Sequence, residues 1–542
     1  MIKPFLKKVK LISNKLSSNI DFGDKYMTSA DLVLLNGNIV TMSSKVSSAQ
    51  AIAIVGDRIS CVGNNQEVVR CIGEKTRVIY LEGKTVLPGF IDTHAHVVDY
   101  GRMLAWLDFT GVSSVKDIQT RLSERVKQVG EGKWVLGRAL NPEGLLEKRL
   151  PLRHELDIVA PDNPVVFYCQ SGQVCVANSK ALEAAKINQQ FDSGIERDSM
   201  GELTGVLRDQ ATNFVWNIIP EPTRQELYEA TLLALENFVH LGITSIHWIV
   251  LSEIELFIVQ KLVEMCSLSL RVYLIVPVNL LDLALQILKS FENDFFKLGG
   301  GIIFVDGYLS SRTAALFEPY SDCSDVQGSL FFQQNELFVL ADKIQNSGLQ
   351  LIVHAVGDRA IRESVNMLRH INRNPMVPCP RIEQAAVLNL LLMRCVKELN
   401  LSVSVQPCVV ASEFSAWSAE KRLGEKRVCW LFPIKELLNY GVLVSAGSDC
   451  PMEPLNPLLG IEAAVRREGV QKVSVFEALQ MYTVFAAQVS SLGVADRGSI
   501  EPGKLADLIV LSHNPEFVAV DKIRSISICF TIVGGVVYGS KN

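Results

Sequence analysis

Only eight histidines occur in the 542 residues, so their positions carry information. His94 and His96 form a His-x-His pair at the end of the apolar run Val86-Leu87-Pro88-Gly89-Phe90-Ile91. In a β-strand, residues i and i+2 project to the same face, so both imidazoles would leave the strand end side by side. That is a clamp for a divalent metal ion, although two exposed histidines at a strand end fit the pair equally well. His354 closes a second apolar run, Leu351-Ile352-Val353, and Asp449 closes a third that begins at Leu443. A single polar group of this kind is ordinarily a helix cap. Three imidazoles and a carboxylate, all at strand ends, make a donor set for Zn²⁺ or another borderline ion, with positions left for water.

Such a set requires elements that bring the strand ends together. The middle of the chain alternates strand-like and helix-like segments, the pattern of parallel βα units. Eight candidate strands span 85–96, 243–250, 271–276, 301–306, 350–354, 381–384, 401–406 and 442–449. Helical periodicity marks 224–240, 337–347 and 358–370 between them. Eight units predict an α/β fold, a TIM-like (β/α)8 barrel, whose sites lie at the C-terminal ends of the strands. The barrel would place His94 and His96 on its first strand, His354 on its fifth and Asp449 on its eighth. A long excursion, about 99–223, is expected to cover the barrel mouth and has strand-like pieces of its own at 133–140 and 164–168.

Short alternating runs flank the barrel. Leu32 to Leu35, then Asn36-Gly37, then Asn38 to Val40 read as a hairpin, because Asn-Gly between apolar runs is a strong turn signal. Ala51 to Val55, Gly56-Asp57 and Arg58 to Val62 repeat the pattern, and Gly534-Gly535 marks a turn near the C-terminus. Residues 29–86 plus 497–542 are therefore expected to form one small composite β-sandwich, with the barrel, 87–496, inserted between them. Residues 1–28 form a basic tail, either disordered or targeting.

Composition excludes several classes. Lys and Arg number 53 against 58 Asp and Glu, a net charge of −5 with no basic footprint for nucleic acid. Hydrophobic residues at 48% and charged residues at 20% exclude a disordered or collagen-like chain. No run approaches the roughly 18 apolar residues of a membrane span. The twelve cysteines are scattered without a CxxC pair and read as reduced thiols of an intracellular protein. The cytoplasm is the expected location. Lys3, Lys7, Lys8, Lys10 and Lys15, with no acid in the first twenty residues, keep a mitochondrial or other organellar destination as the alternative. Phosphate-loop, kinase and dinucleotide signatures are absent.

The run Leu87-Pro88-Gly89-Phe90-Ile91-Asp92-Thr93-His94-Ala95-His96 resembles the metal-binding signature of the amidohydrolase superfamily. Three further stretches are similar to its amidohydrolase-3 branch, which holds YtcJ-like proteins and N-substituted formamide deformylases: 306–316 from Asp306-Gly307, 353–360 around His354, and 447–451 around Asp449. So is 498–508. The resemblance, over about 29–537, implies a metal-dependent barrel with a composite β-sandwich and a small amide-type substrate. A homodimer is left open.

Four positions depart from the family pattern. Ile302 stands where a lysine that bridges two metals is usual, so one ion rather than two is expected. Gln384 replaces a histidine at the end of Arg381-Ile382-Glu383, Val409 replaces another after Gln406-Pro407, and Gln173 stands for a third in the excursion. Two readings follow. In one, His94, His96, His354 and Asp449 hold a single Zn²⁺. Asp449 acts as general base and Gln384 as a hydrogen-bond donor to an oxyanion, and the reaction is hydrolysis of a non-peptide C–N bond. In the other, the chain is a degenerate homologue with weak or no catalysis that binds or regulates. Ser310 and Arg312, with Ser311, follow the fourth strand and either contact substrate or shape a loop; Gln173 is a further substrate-binding candidate. Cys408 and Cys450 are either substitute ligands or buried inert thiols, and His247 reads as a packed histidine.

Overall fold

The computed structural model describes residues 29–539 except 170–173, 188–192, 372, 416–417 and 492–494. The basic tail and Gln173 lie outside the described residues. Eight parallel strands stand at the centre: β1 (Phe90–Ala95), β2 (Ile243–Ile249), β3 (Arg271–Pro277), β4 (Phe296–Phe304), β5 (Gln350–Ala355), β6 (Arg381–Gln384), β7 (Ser402–Val405) and β8 (Leu443–Ala446). They pair in chain order, and every neighbouring pair is parallel. The barrel closes where β1 meets the residues after β8. The Asp449 N–H donates to the His94 carbonyl at 2.8 Å, and the His96 N–H donates to the Cys450 carbonyl at 3.0 Å. Gly447 permits that approach, since a Cβ there would sit 2.5 Å from the His94 nitrogen.

The strands read as continuous apolar runs because both faces are covered, as parallel sheets require. All seven residues of β2 and of β3 are buried. The covering helices include Arg224–His240, which starts at a Thr223–Glu226 capping box, together with Gln334–Asn346 and Asp358–His370.

Three strands differ by more than one residue from the sequence expectation; β8 stops at Ala446, short of Asp449. The segment 85–96 breaks at Gly89: Thr85–Pro88 pairs antiparallel with Leu508–Leu511 in another sheet, and only Phe90–Ala95 enters the barrel. β4 begins at Phe296 rather than 301. Gly299 allows close packing there, since a Cβ on it would lie 2.2 Å from the Tyr273 ring.

Outside the barrel, four strands pair in the order Arg58–Gly63, Ala51–Val55, Leu32–Leu35, Arg77–Tyr80. Six more pair as Val536–Gly539, Ile528–Val533, Leu508–Leu511, Thr85–Pro88, Asn38–Val40, Ser48–Ala49. Strands from both ends of the chain thus share one sheet, and Leu34, Ile52, Leu508 and Val510 share one core cluster. Asn36-Gly37 is not a hairpin turn. It carries the chain from the first of these sheets to the second, because Leu32–Leu35 is buried along its whole length and pairs on both edges. Gly56-Asp57 and Gly534-Gly535 do join antiparallel neighbours. The buried ion pair of Arg271 on β3 with Asp507, at 2.7 and 3.1 Å, ties the barrel to the C-terminal strands.

The excursion between β1 and β2 builds a mixed six-stranded sheet of its own, including Val135–Leu140 and Val165–Cys169. The helix Val115–Val129 covers it, with Ile118 and Leu122 packed in the cluster of Phe109 and Phe167. No helix among the described residues is long and apolar enough to cross a membrane.

Candidate metal centre

His94 is the fifth residue of β1, and His96 follows the strand directly as the N-cap of the helix Val97–Leu104. Their rings are 5.5 Å apart, on the same side, as the two-residue period dictates. Asp449 lies three residues beyond β8 with φ +61°, a left-handed backbone that turns its carboxylate toward β1. Its Oδ1 is 3.5 Å from His94 Nε2 and 3.6 Å from His96 Nε2. The donor atoms of these three residues all fall within 4.8 Å of one another.

The other ring nitrogens are already engaged. His94 Nδ1 is 2.9 Å from Glu383 Oε2, and His96 Nδ1 is 3.3 Å from the Ile249 carbonyl oxygen. Both partners accept only, so both Nδ1 atoms carry a proton, and each Nε2 faces a carboxylate oxygen. Burial pushes the His94 pKa down, but Asp449 and Glu383 together raise it above the ordinary imidazole value, so the group favours positive charge at its centre. The donor set therefore fits a divalent ion bound between them, with imidazole nitrogens and a carboxylate oxygen of the kind zinc takes.

His354, the fifth residue of β5, stands beside this group rather than within it. It is 1% exposed, and neither ring nitrogen has a hydrogen-bond partner. Burial, and then the neighbouring His94, pushes its pKa down to about 4, so it is a neutral imidazole with a free lone pair. Phe304 and Tyr308 flank the ring at 5.3 and 5.5 Å.

Burial is the largest influence on Asp449 and pushes its pKa up, but the imidazoles of His94, His96 and His354 together hold it below the ordinary carboxylate range. Gln384, also left-handed at φ +68°, donates from Nε2 to Asp449 Oδ2 at 3.2 Å. The amide that the sequence offered to an oxyanion thus spends one N–H on the carboxylate.

The remaining candidates fall elsewhere. The Arg312 guanidinium is taken up by Asp322, at 3.1 and 2.9 Å, and Ser310 is half-buried in the same loop. Asp306 accepts three backbone N–H groups, from Ala315, Val356 and Gly357, and so latches that loop to the end of β5. Cys408 and Cys450 are buried thiols outside the converging group; burial pushes Cys408 up to about 12 and holds Cys450 well above the ordinary thiol range. Ile302 belongs to an apolar cluster with Ile249, Tyr273, Ile275 and Ile352. Val409 is buried in the helix Pro407–Ser415. His247 is buried and neutral, 2.7 Å from Arg381 Nη1. Two cavities of about 590 and 820 Å³ involve the excursion, and none of His94, His96, His354 and Asp449 lines either.

Sequence reasoning missed Glu383 and Tyr308. Arg381 and Glu383 at i and i+2 on a barrel strand share one face, a signal that could have exposed the first.

The model of the amidohydrolase family matches residues 77–538. The protein LONG AFTER FAR-RED 3 of Arabidopsis thaliana is 31% identical over 547 residues, covering 93% of this chain and 91% of its own. The N-substituted formamide deformylase of Arthrobacter pascens is 27% identical, over 93% and 98% of the two chains. A crystal structure of an uncharacterized metal-dependent hydrolase from Pyrococcus furiosus superposes with a TM-score of 0.71 at 30% identity, covering 90% of this chain and 99% of that one. By its sequence and by the barrel that carries its histidines, the chain belongs to the amidohydrolase family, in the amidohydrolase-3 branch.

Proposed function

We propose that the chain is a metal-dependent hydrolase that cleaves a non-peptide, amide-type C–N bond in a small molecule, with one Zn²⁺ as its resident ion. The observation that carries the reading is the convergence of His94 Nε2 and His96 Nε2 on Asp449 Oδ1 at 3.5 and 3.6 Å. The unpartnered imidazole of His354 stands ready as a further donor. Ile302, in its apolar cluster, supports one ion rather than a lysine-bridged pair. The likeness to a formamide deformylase supports the bond class.

A divalent ion held there supplies Lewis acidity that makes water a stronger acid and polarises a substrate carbonyl. The chain's own residues move the proton and orient the groups. Asp449, held ionised, accepts a proton from water on Oδ2, the oxygen that Gln384 holds, and returns it to the leaving nitrogen. Gln384 orients that oxygen through its 3.2 Å hydrogen bond and keeps a second N–H for substrate. Tyr308, half-exposed beside His354, offers its hydroxyl at the rim. Arg312 shapes the loop through Asp322.

The test is hydrolysis of a panel of N-substituted amides and formamides by the zinc-loaded chain. Amine release by the native protein, reduced about 10²–10⁴-fold in Asp449→Asn, is expected. Turnover indifferent to that substitution would contradict the assignment.

A further inference from the structure

We propose that Glu383 is the positioning residue of the metal centre: it holds His94 in the tautomer whose Nε2 lone pair faces Asp449, and Arg381 and His247 hold Glu383 in place. The inference rests on the metal reading of His94 set out above.

The four side chains form one buried string. His94 Nδ1 meets Glu383 Oε2 at 2.9 Å. Glu383 Oε1 lies 2.5 Å from Arg381 Nη2, and Arg381 Nη1 lies 2.7 Å from His247 Nδ1. Exposures are 2% for His94, 1% for His247 and 0% for Glu383 and Arg381. An ionised carboxylate accepts and never donates, so the Nδ1 of His94 carries a proton and Nε2 is the nitrogen left for a metal. Arg381 donates to His247, so that ring accepts on Nδ1 and the string ends in a neutral group.

Packing alone does not explain these charges. A buried Arg–Glu pair generally contributes no more to stability than apolar residues of the same volume. What the pair supplies that leucine and methionine would not is a charged acceptor aimed at His94 from across the barrel. Gln406 adds a long contact, 3.5 Å from its Nε2 to the same Glu383 oxygen. Outer partners of this kind fix the orientation and raise the basicity of a ligating imidazole.

The test uses the full chain, stripped of metal and titrated with Zn²⁺ against a chelating dye, in two variants. Arg381→Met/Glu383→Leu removes both charges together, so no buried ion is left unpaired. Glu383→Gln keeps the size and an acceptor but not the charge. We expect zinc affinity to fall about 10- to 100-fold in the double variant and about tenfold in Glu383→Gln. Ring ¹⁵N spectra, with the His94 signals identified by their loss in His94→Ala, are expected to show the Nδ1 proton in the native chain and its loss from Nδ1 in a folded double variant. Should the double variant not fold, Glu383→Gln carries the test. Native affinity in the variants, with His94 still protonated on Nδ1, would overturn the role of Glu383 while leaving the metal reading intact. A native chain that binds no zinc would overturn both.

Discussion

Asp449 and His94 meet twice. The Asp449 N–H donates to the His94 carbonyl at 2.8 Å, while Asp449 Oδ1 lies 3.5 Å from His94 Nε2. The hydrogen bond that closes the barrel between its first and last strands therefore also sets the carboxylate against the imidazole. Closure of the fold and assembly of the site are one event, and perturbing one should disturb the other.

Gly447 is the place to perturb it. A Cβ there would sit 2.5 Å from the His94 nitrogen, 2.8 Å from its Cβ and 2.9 Å from an Asp92 oxygen. Two of these atoms cannot swing aside as the end of a flexible side chain would. Gly447→Ala is expected to cost about 1–3 kcal/mol of stability and to weaken zinc binding. Denaturant unfolding and a dye-competition titration read the two effects; loss of neither would show that the strand ends are free to move apart.

Gln384 protects a buried oxygen of Asp449. In Gln384→Ala the carboxylate loses its donor at 3.2 Å while remaining 5% exposed. Leaving such a group unsatisfied costs about 1–3 kcal/mol. The loss should show in urea unfolding of the metal-free chain, and Gln384→Glu, which places a second carboxylate beside the first, should lower stability further at pH 8.

Much of the barrel and its site is legible in the residues alone. The period of two places His94 and His96 on one face, and eight βα units align His354 and Asp449 with them at the same end. Asn36-Gly37 defeats the hairpin rule because Ala51–Val55 and Arg77–Tyr80 take both edges of Leu32–Leu35, leaving none for Asn38–Val40. The start of β4 is hidden because Gly299, Gly300 and Gly301 lack the side chains of a strand pattern and instead serve close approach of Tyr273, Ile352 and Ile344. The left-handed backbone of Gln384 leaves no trace in residue type, and that of Asp449 only the mild preference of aspartate for this region. Nor does sequence spacing reveal that Glu383 reaches His94, 289 residues away.

The pair of Arg271 and Asp507 links β3 to the C-terminal strands, with side chains 1% and 3% exposed. Removing one partner strands a buried charge: Arg271→Met alone is expected to cost about 3–5 kcal/mol. Arg271→Met/Asp507→Leu should recover much of that loss, less the bond Asp507 accepts from the Gly534 N–H at 2.9 Å. A double-mutant cycle by denaturant unfolding measures the coupling. Simple additivity would mean that the two charges do not stabilise each other.

Glu255 gives stability a pH dependence. Burial, with the Asp99 carboxylate nearby, pushes it up to about 7. Its Oε1 accepts from the Leu251 N–H and the Ser252 hydroxyl, both at 3.1 Å. The folded chain thus holds a proton that the unfolded chain releases near pH ~4.3. The associated stability is complete below that pH and is lost as pH rises to about 7. Glu255→Gln keeps the acceptor without the charge. Relative to native, it should gain roughly 1–3 kcal/mol between pH 5 and pH 8. An unchanged difference across that range would contradict the burial argument.

The most direct measurement is the metal content of the chain purified without chelators, by plasma mass spectrometry, beside His94→Ala/His96→Ala. Close to one zinc per native chain, and none in the double variant, is expected. A folded native chain that carries no metal and takes up none from added Zn²⁺ would contradict it, and would leave the barrel as a scaffold for binding or regulation.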